Sequence, residues 1–214
     1  MSIHTDPSTY TGIPANHTNA LLMPLFALLS NLVILLPLRA FWQLKNFPAC
    51  SLCIVSIYLN SKTVVNAFTW PNDQNLSTSF SGAGLCDVES YLLWPMTLAL
   101  TTCNCCLTKG LGDALDTDDA VFNPSRAQRR RRLYGEVLFC WGPPVIMCCL
   151  LWTLMAGRYS IVPVFGCATE FDNSWPLVAF VIAWAPIFTL LTVYYAGESS
   201  SFLPSSLNHL KPRY

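Results

Sequence analysis

Five stretches of this chain are mostly apolar, and each is long enough to cross a bilayer as a helix. They cover residues 21–38, 50–70, 91–108, 135–156 and 175–195. A helix needs about 20 mostly apolar residues to cross the hydrocarbon core, and lipid offers no hydrogen-bond partner to an open strand edge. The pattern therefore predicts an all-α fold, an integral membrane helical bundle with five transmembrane helices.

Composition agrees with this prediction. Hydrophobic residues make up 53% of the 214 residues and charged residues only 11%, against about 25% charged in soluble domains. The net charge is zero, so no general attraction to nucleic acid is expected. The first twenty residues contain neither Lys nor Arg, which argues against a cleaved signal peptide. We expect residues 21–38 to act as the first, uncleaved insertion signal.

The basic residues lie mainly on one side of the predicted membrane. Ten of the twelve Lys and Arg residues fall in segments 39–49, 109–134 and 196–214. Short connectors rich in Lys and Arg stay in the cytoplasm. The distribution predicts an extracellular tail over residues 1–20, a membrane domain over 21–195 and a cytoplasmic tail over 196–214. The N-terminus is then outside and the C-terminus inside.

Two glycosylation acceptor triplets agree with that orientation. Asn16 begins Asn-His-Thr, and Asn75 begins Asn-Leu-Ser. Glycans are added only to segments that face the lumen, and both triplets fall in predicted outside segments. Asn16 and Asn75 are therefore predicted glycosylation sites.

Cys86 and Cys167 differ from the other eight cysteines because they lie in predicted outside connectors. The outside compartment is oxidising, so a disulfide between them is favoured, with two free thiols as the alternative. A bridge would hold the loop before the fifth helix across the bundle. Cys50 and Cys53 have the spacing of a redox or metal pair. They lack a second pair and a nearby His, so we expect no metal site there.

Polar residues within the predicted helices mark a candidate cavity. One stripe of the third helix carries four of them at helical spacing: Thr97, Thr101, Asn104 and Thr108. The second helix carries Lys62 and Asn66, and a charge near the membrane centre is costly. No carboxylate is predicted at the depth of Lys62. We interpret Lys62, Asn66, Thr97 and Thr101 as a candidate ligand cavity; helix packing alone is the alternative reading.

The longest predicted inner connector contains a basic run composed of Arg126, Arg129, Arg130, Arg131 and Arg132. Such residues anchor a helix to anionic membrane lipid, and a cytosolic protein partner can use the same surface. The three His residues all lie in the tails, and no catalytic or phosphate-binding motif occurs in the spans. The sequence therefore favours a protein that is not an enzyme, without a cofactor.

Particular strings resemble one receptor family. "ALDTDDAVFNPSRAQRRRRLYGEVLFCWGPP" resembles the second inner loop and fourth helix of fungal lipopeptide mating-pheromone receptors, a branch of the G-protein-coupled receptors. "VNAFTWPND" is similar to the end of their second helix, and "GLCDVE" to the entry of their third. "GRYSIVPVFGCATEFDNSWP" is similar to their second outer loop. The resemblance is collinear from about residue 20 to residue 195.

This resemblance implies a seven-helix receptor fold in the plasma membrane, a prenylated peptide pheromone as ligand and a heterotrimeric G protein as cytosolic partner. The family's cysteines at the third helix and in the second outer loop fall on Cys86 and Cys167, which implies the bridge between them. Two of the seven helices have no counterpart here, so the sequence is interpreted as a truncated receptor with doubtful signalling. The alternatives are a scaffold or small transporter, or a non-signalling form that associates with a full-length receptor.

Overall fold

The computed structural model describes residues 17–70, 82–115, 125–155, 157, 159–162, 165–171 and 175–209. The long helices are α1 (His17–Gln43), α2 (Phe47–Thr69), α3 (Leu85–Leu115), α4 (Arg126–Leu154) and α6 (Trp184–His209). A hairpin of β1 (Ser160–Val162) and β2 (Gly166–Ala168) follows α4, and a short helix, α5 (Trp175–Leu177), precedes α6. Helices dominate, as the apolar stretches predict.

Side-chain caps define where two helices begin. The side chain of Asn46 accepts a hydrogen bond from the backbone N–H of Ala49 at the start of α2. Ser125 and Gln128 form a reciprocal capping box at the start of α4. Such caps satisfy backbone N–H groups that lack a partner in the first turn. Because α4 begins at Arg126, the basic run is helical and continuous with the fourth apolar stretch.

Contacts between α3 and its neighbours set the directions of the helices. The Tyr91 hydroxyl donates to the carbonyl of Cys148, and the Thr102 hydroxyl donates to the carbonyl of Cys140 at 2.7 Å. Residue numbers rise along α3 as they fall along α4, so the two helices are antiparallel. Lys109 lies over the ring of Tyr195, and Cys105 lies close to the Thr192 side chain. In these two contacts the residue numbers rise together along α3 and α6, so the two helices are parallel.

The apolar core lies where α3, α4 and α6 meet. Its buried members are Leu98, Cys105, Met147, Leu151, Val181 and Phe188. By contrast, α1 packs on α2 and leaves most of its leucines exposed. Two side-chain hydrogen bonds join these helices, from Asn31 to Ser61 and from Asn60 to Ser30, each 3.1 Å long. An apolar outer surface is what a bilayer requires.

Four of the five long helical segments are apolar enough to span a membrane: Leu21–Gln43, Phe47–Thr69, Arg126–Leu154 and Trp175–Glu198. The fold class, an all-α membrane bundle, is confirmed. Helix α3 is not among the four, although its 31 residues reach about 46 Å at ~1.5 Å per residue. Its threonines, Asn104 and Pro95 lower its mean hydropathy. Helix α3 packs against α2, α4 and α6, so partner helices cover part of its surface.

The fifth apolar stretch is not one regular helix. Between α5 and α6, Val178–Ile182 form a π-helical turn, and the backbone N–H of Ala183 donates to the carbonyl of Val178 at 2.9 Å. π turns insert an extra residue into a helix. Helix α6 then continues to His209, so residues 196–209 of the predicted tail are helical.

Candidate functional site

The β1–β2 hairpin crosses the ends of α2 and α3; we call this the hairpin end of the bundle. The strands are antiparallel, with Ser160 opposite Ala168 and Val162 opposite Gly166. A disulfide joins Cys167 of β2 to Cys86 in the first turn of α3. The Thr169 hydroxyl also donates to the carbonyl of Ser90 at 2.8 Å. The hairpin is therefore attached to α3 by a covalent bond and a hydrogen bond.

Two side chains of α2 hold the same hairpin from the other side. The Lys62 ammonium donates to the carbonyl of Cys167 at 3.4 Å, and the Asn66 amide donates to the carbonyl of Phe165 at 3.0 Å. Residues four apart share one face of a helix, and residues two apart share one side of a strand. The spacing of Lys62 and Asn66 thus matches the spacing of the two carbonyls they contact.

Gly166 lies directly against Asn66. A Cβ atom placed on Gly166 would be 2.1 Å from the Asn66 amide nitrogen, and the φ angle of Gly166 is +80°. Both facts exclude a side chain at this position without movement of α2 or the hairpin. Gly166 therefore permits the close approach that brings Phe165 and Cys167 to their donors on α2.

A small apolar cluster surrounds the disulfide at the hairpin end. Trp70, Cys86 and Cys167 are buried together, and Tyr159 and Ile161 of the hairpin segment pack against them. Trp70 is 1% exposed and Cys86 is fully buried, so the disulfide is shielded from water. This packing is not predictable from the sequence, because Trp70 is only the last residue of the second apolar stretch.

The expectation that no carboxylate lies at the depth of Lys62 is wrong. Glu89 of α3 lies close enough to Lys62 for electrostatic attraction and beside the amide of Asn66. Glu89 is 6% exposed and Asn66 is fully buried. Helix α3 starts at Leu85, earlier than the apolar stretch, so Glu89 falls within the packed helix. Whether two residues on neighbouring helices lie at the same depth depends on how the two helices align. The apolar pattern does not show this alignment.

Two oxygen atoms in this cluster have no hydrogen-bond partner among the described residues: Asn66 Oδ1 and Glu89 Oε2. Two described donors nearby, Lys62 and the Asn66 amide nitrogen, are directed to carbonyls of the hairpin. The Tyr58 hydroxyl of α2 also lies within electrostatic range of Glu89 but makes no hydrogen bond to its Oε2 atom. The cluster therefore retains two acceptors without a hydrogen bond. Sequence reasoning found Lys62 and Asn66 but missed Glu89.

The structure does not bring Thr97 and Thr101 to this cluster. Both hydroxyls donate within their own helix, Thr97 to the carbonyl of Leu93 and Thr101 to the carbonyl of Leu98. Thr97 is eight residues beyond Glu89 along α3, which places it about 12 Å deeper at ~1.5 Å per residue. Thr97 and Asn104 are exposed, whereas Thr102 is fully buried. The buried polar residue of this helix is thus Thr102.

Two surface grooves lie elsewhere, along the contact between α1 and α2. One is lined by Leu22, Met23, Phe26, Ala27, Ser30, Asn60 and Thr63. The other is lined by Leu35, Leu38, Arg39, Trp42, Gln43 and Ile54. Neither includes Lys62, Asn66, Thr97 or Thr101, so neither is the cavity that the sequence predicts.

The arginine run lies at the opposite end of the bundle, which we call the arginine end. All five side chains are exposed: Arg126, Arg129, Arg130, Arg131 and Arg132. Arg132 forms an ion pair with Glu136 one turn later at 3.0 Å. Such a surface pair contributes little to stability. The guanidinium groups of the other four arginines are exposed at this end of the bundle.

Asn16 and Asn75 lie outside the described residues, and their glycosylation remains a prediction. Within the described part of the chain no group of metal-binding side chains occurs. Cys50 and Cys53 are buried free thiols there.

The fold and this site define a multi-pass helical membrane protein. A disulfide attaches its β1–β2 hairpin to α3, across one end of the helical bundle. The sequence pattern of the pheromone A receptor family matches residues 22–202. The chain belongs to the pheromone A receptor family.

Curated relatives agree with the family match. The chain is 28% identical over 187 residues to the pheromone B beta 1 receptor of Schizophyllum commune, covering 87% of this chain and 32% of the relative. It is 25% identical over 177 residues to pheromone receptor 1 of Mycosarcoma maydis, covering 81% of this chain and 47% of the relative. Pheromone receptor 1 of Ustilago hordei is 24% identical over 174 residues, covering 81% of this chain and 46% of the relative. The chain thus spans between about a third and a half of the length of these relatives.

Proposed function

We propose that this chain acts as a fungal mating-pheromone receptor and binds a prenylated peptide pheromone at the hairpin end. Family membership over residues 22–202 supports the class of protein, and the curated relatives are named as pheromone receptors. A scaffold or small transporter outside this family has no comparable support. The proposed role is recognition of a ligand and transmission of a signal, with no catalytic step.

The observation that carries the proposal is the attachment of the hairpin to both α2 and α3. The disulfide at Cys167 and the hydrogen bonds from Lys62 and Asn66 fix this segment across the helix ends. A segment held in one position can define the shape of an entrance, since little ordering entropy is then lost when a ligand binds. The polar cluster beneath it offers groups that can orient a peptide.

The proposed receptor lies in the plasma membrane with its N-terminus and hairpin end outside and its C-terminus in the cytoplasm. The distribution of Lys and Arg supports this orientation. The disulfide supports it as well, because disulfides persist in the oxidising extracellular space.

At the arginine end, the proposed partners are a heterotrimeric G protein and anionic membrane lipid. The exposed run Arg126 and Arg129–Arg132 on α4 supports both. Each basic residue near an anionic membrane surface contributes about 1 kcal/mol of attraction. Acidic surfaces of a cytosolic protein would be attracted to the same guanidinium groups.

A binding measurement tests the proposal. Cells expressing the full chain are incubated with a pool of fluorescent peptides that end in a farnesylated cysteine, and with the same pool lacking the farnesyl group. We expect saturable binding of the farnesylated pool only. The variant C167S, which releases the hairpin, should lose this binding, whereas C149S, at an exposed free cysteine, should keep it. Equal, unsaturable uptake by cells with and without the chain would overturn the proposal.

Association with another receptor chain is a second candidate function. The exposed position of Asn104 on α3 favours it, because an amide that faces lipid is better placed against another helix. Here the chain would form an oligomer with a full-length receptor and reduce its signalling. Co-expression with a complete receptor, read by a mating reporter, tests this role. A reporter response identical with and without the chain would exclude it.

A further inference from the structure

The cluster beneath the hairpin has an imbalance between donors and acceptors. Lys62 and the Asn66 amide nitrogen donate to the carbonyls of Cys167 and Phe165. Asn66 Oδ1 and Glu89 Oε2 accept no hydrogen bond within the described part of the chain. Asn66 is 0% exposed and Glu89 6% exposed, so bulk water does not compensate for the missing bonds.

Buried acceptors without partners are costly and rare in folded proteins. Here two of them occur on neighbouring helices, with the Asn66 side chain beside the Glu89 carboxylate. Lys62, one helical turn from Asn66, is only partly buried. The cluster is therefore less enclosed on the side of Lys62 than at Asn66.

The character of the spare atoms determines what can bind. Both are acceptors, so the complementary group must donate hydrogen bonds. The described residues hold no group of three or more metal-binding side chains here, so a bare metal cation would lack ligands. A group with N–H bonds, such as a peptide amide, an amine or a guanidinium, satisfies both oxygens.

We propose that Asn66 Oδ1 and Glu89 Oε2 form an acceptor pair that binds N–H groups of the peptide ligand beneath the hairpin. This inference rests on the proposed receptor function and names the part of the site that contacts the peptide. Lys62 and the Asn66 amide nitrogen hold the hairpin, while the two oxygens receive the ligand. Glu89 is thereby assigned a role in recognition.

A small probe tests the acceptor pair without a pheromone. The full chain is purified in detergent, and thermal unfolding is followed with added methylammonium or with tetramethylammonium at equal ionic strength. Both cations carry one positive charge, but only methylammonium has N–H bonds. Methylammonium at several times its Kd should raise the Tm of the wild-type chain by about 2–4 °C. Tetramethylammonium should give no such rise.

The variant E89Q should lose the methylammonium response, because a neutral amide binds an ammonium group more weakly than a carboxylate does. The variant E170Q is the matched control, since the Glu170 side chain is exposed in the same hairpin segment, and it should respond as wild type does. Detection of the Cys86–Cys167 bond by mass spectrometry shows that each variant retains the folded hairpin. Equal responses to both cations, an unchanged response in E89Q, or no response in wild type would overturn the inference.

Peptide binding separates this inference from the proposed function. With the farnesylated pool, E89Q should bind about tenfold to a hundredfold more weakly than wild type, while E170Q binds normally. Saturable binding that E89Q leaves unchanged would overturn the acceptor pair alone. A normal methylammonium response without any saturable peptide binding would overturn the receptor function and leave the acceptor pair in place.

Discussion

The contact between Gly166 and Asn66 shows how a residue without a side chain allows the hairpin to pack closely against α2. The hydrogen bond from Asn66 to the carbonyl of Phe165 is 3.0 Å long, and it forms only because no Cβ atom separates the hairpin from α2. The positive φ of Gly166 turns the chain at the start of β2. The backbone conformation and the close packing therefore both require glycine at position 166.

The substitution G166A should destabilise the protein more than the substitution G84A. Both glycines have a φ angle near +80°, but a Cβ atom on Gly84 meets nothing within 4 Å. Backbone strain alone costs about 1–2 kcal/mol, so G84A should lose that amount. G166A should lose about 3 kcal/mol or more, because it also breaks a buried hydrogen bond. Unfolding in a denaturing detergent measures both, and equal losses would contradict the assigned contact.

Residue-level prediction from the sequence was partly successful at the hairpin end. The Lys62 and Asn66 positions stand out, since a charge and an amide are unusual in an apolar stretch. Glu89 did not stand out, because it precedes the third apolar stretch and its burial depends on how α2 and α3 align. Gly166 was also missed, because its role arises from a contact between residues a hundred positions apart in the sequence.

At the scale of elements, α3 shows that helical spacing identifies a stripe but not the direction it faces. The stripe of Thr97 and Asn104 was expected to face the bundle, yet both side chains are exposed. Thr102, on another face of the helix, is fully buried and donates to the carbonyl of Cys140 at 2.7 Å. Threonine can satisfy its hydroxyl on its own helix, as Thr97 does with Leu93, so a hydroxyl stripe does not require a partner helix.

Replacing Thr102 by valine should weaken the packing of α3 on α4. Valine has almost the same shape, so the change removes the hydrogen bond to Cys140 and the longer, 3.1 Å contact with the carbonyl of Ala99 in the same helix. Side-chain hydrogen bonds between membrane helices contribute about 0.6 kcal/mol on average, and T102V should cost about 0.5–1 kcal/mol. The matched variant T97V should cost close to nothing. Detergent unfolding compares the two, and a larger loss for T97V would contradict the assignment of the α3–α4 interface.

Removing the disulfide should loosen the hairpin. The bond connects residues separated by 81 positions, and loss of a native disulfide typically costs about 2–5 kcal/mol. C86S should therefore lower the thermal stability by an amount in this range and increase hydrogen exchange in β1 and β2. C149S, at an exposed free thiol, is the control and should behave as wild type. Identical hydrogen exchange in C86S and wild type would show that the hairpin does not depend on the bond.

For the whole molecule, the apolar pattern was sufficient to predict an all-α membrane bundle. It was less informative about where helices end, because α3 and α4 extend beyond their apolar stretches to Leu115 and back to Arg126. Polar residues at those ends remain helical, supported by the capping box at Ser125 in α4. The π turn in the fifth stretch was also not predictable, since all five of its residues, VAFVI, are ordinary members of an apolar helix.

Glycosylation provides a test of the orientation of the whole chain. In a eukaryotic host, Asn16 and Asn75 should carry glycans, so endoglycosidase should increase gel mobility and the double variant N16Q/N75Q should show no shift. The sequence Asn123-Pro124-Ser125 is not an acceptor because proline occupies its centre. P124A converts it into an acceptor on the predicted cytoplasmic side, and this variant should gain no glycan. A glycan at Asn123 would show that the orientation is reversed.

The bond between Cys86 and Cys167 also closes the chain into a covalent ring that contains both α3 and α4. A protease cut anywhere between these two cysteines would open the ring without separating the molecule into two pieces. A protease site engineered between α3 and α4 should therefore yield one band on a non-reducing gel and two bands after reduction. Cut between α3 and α4, the protein would still hold its hairpin end together, because the disulfide would keep the two fragments joined at the proposed ligand entrance.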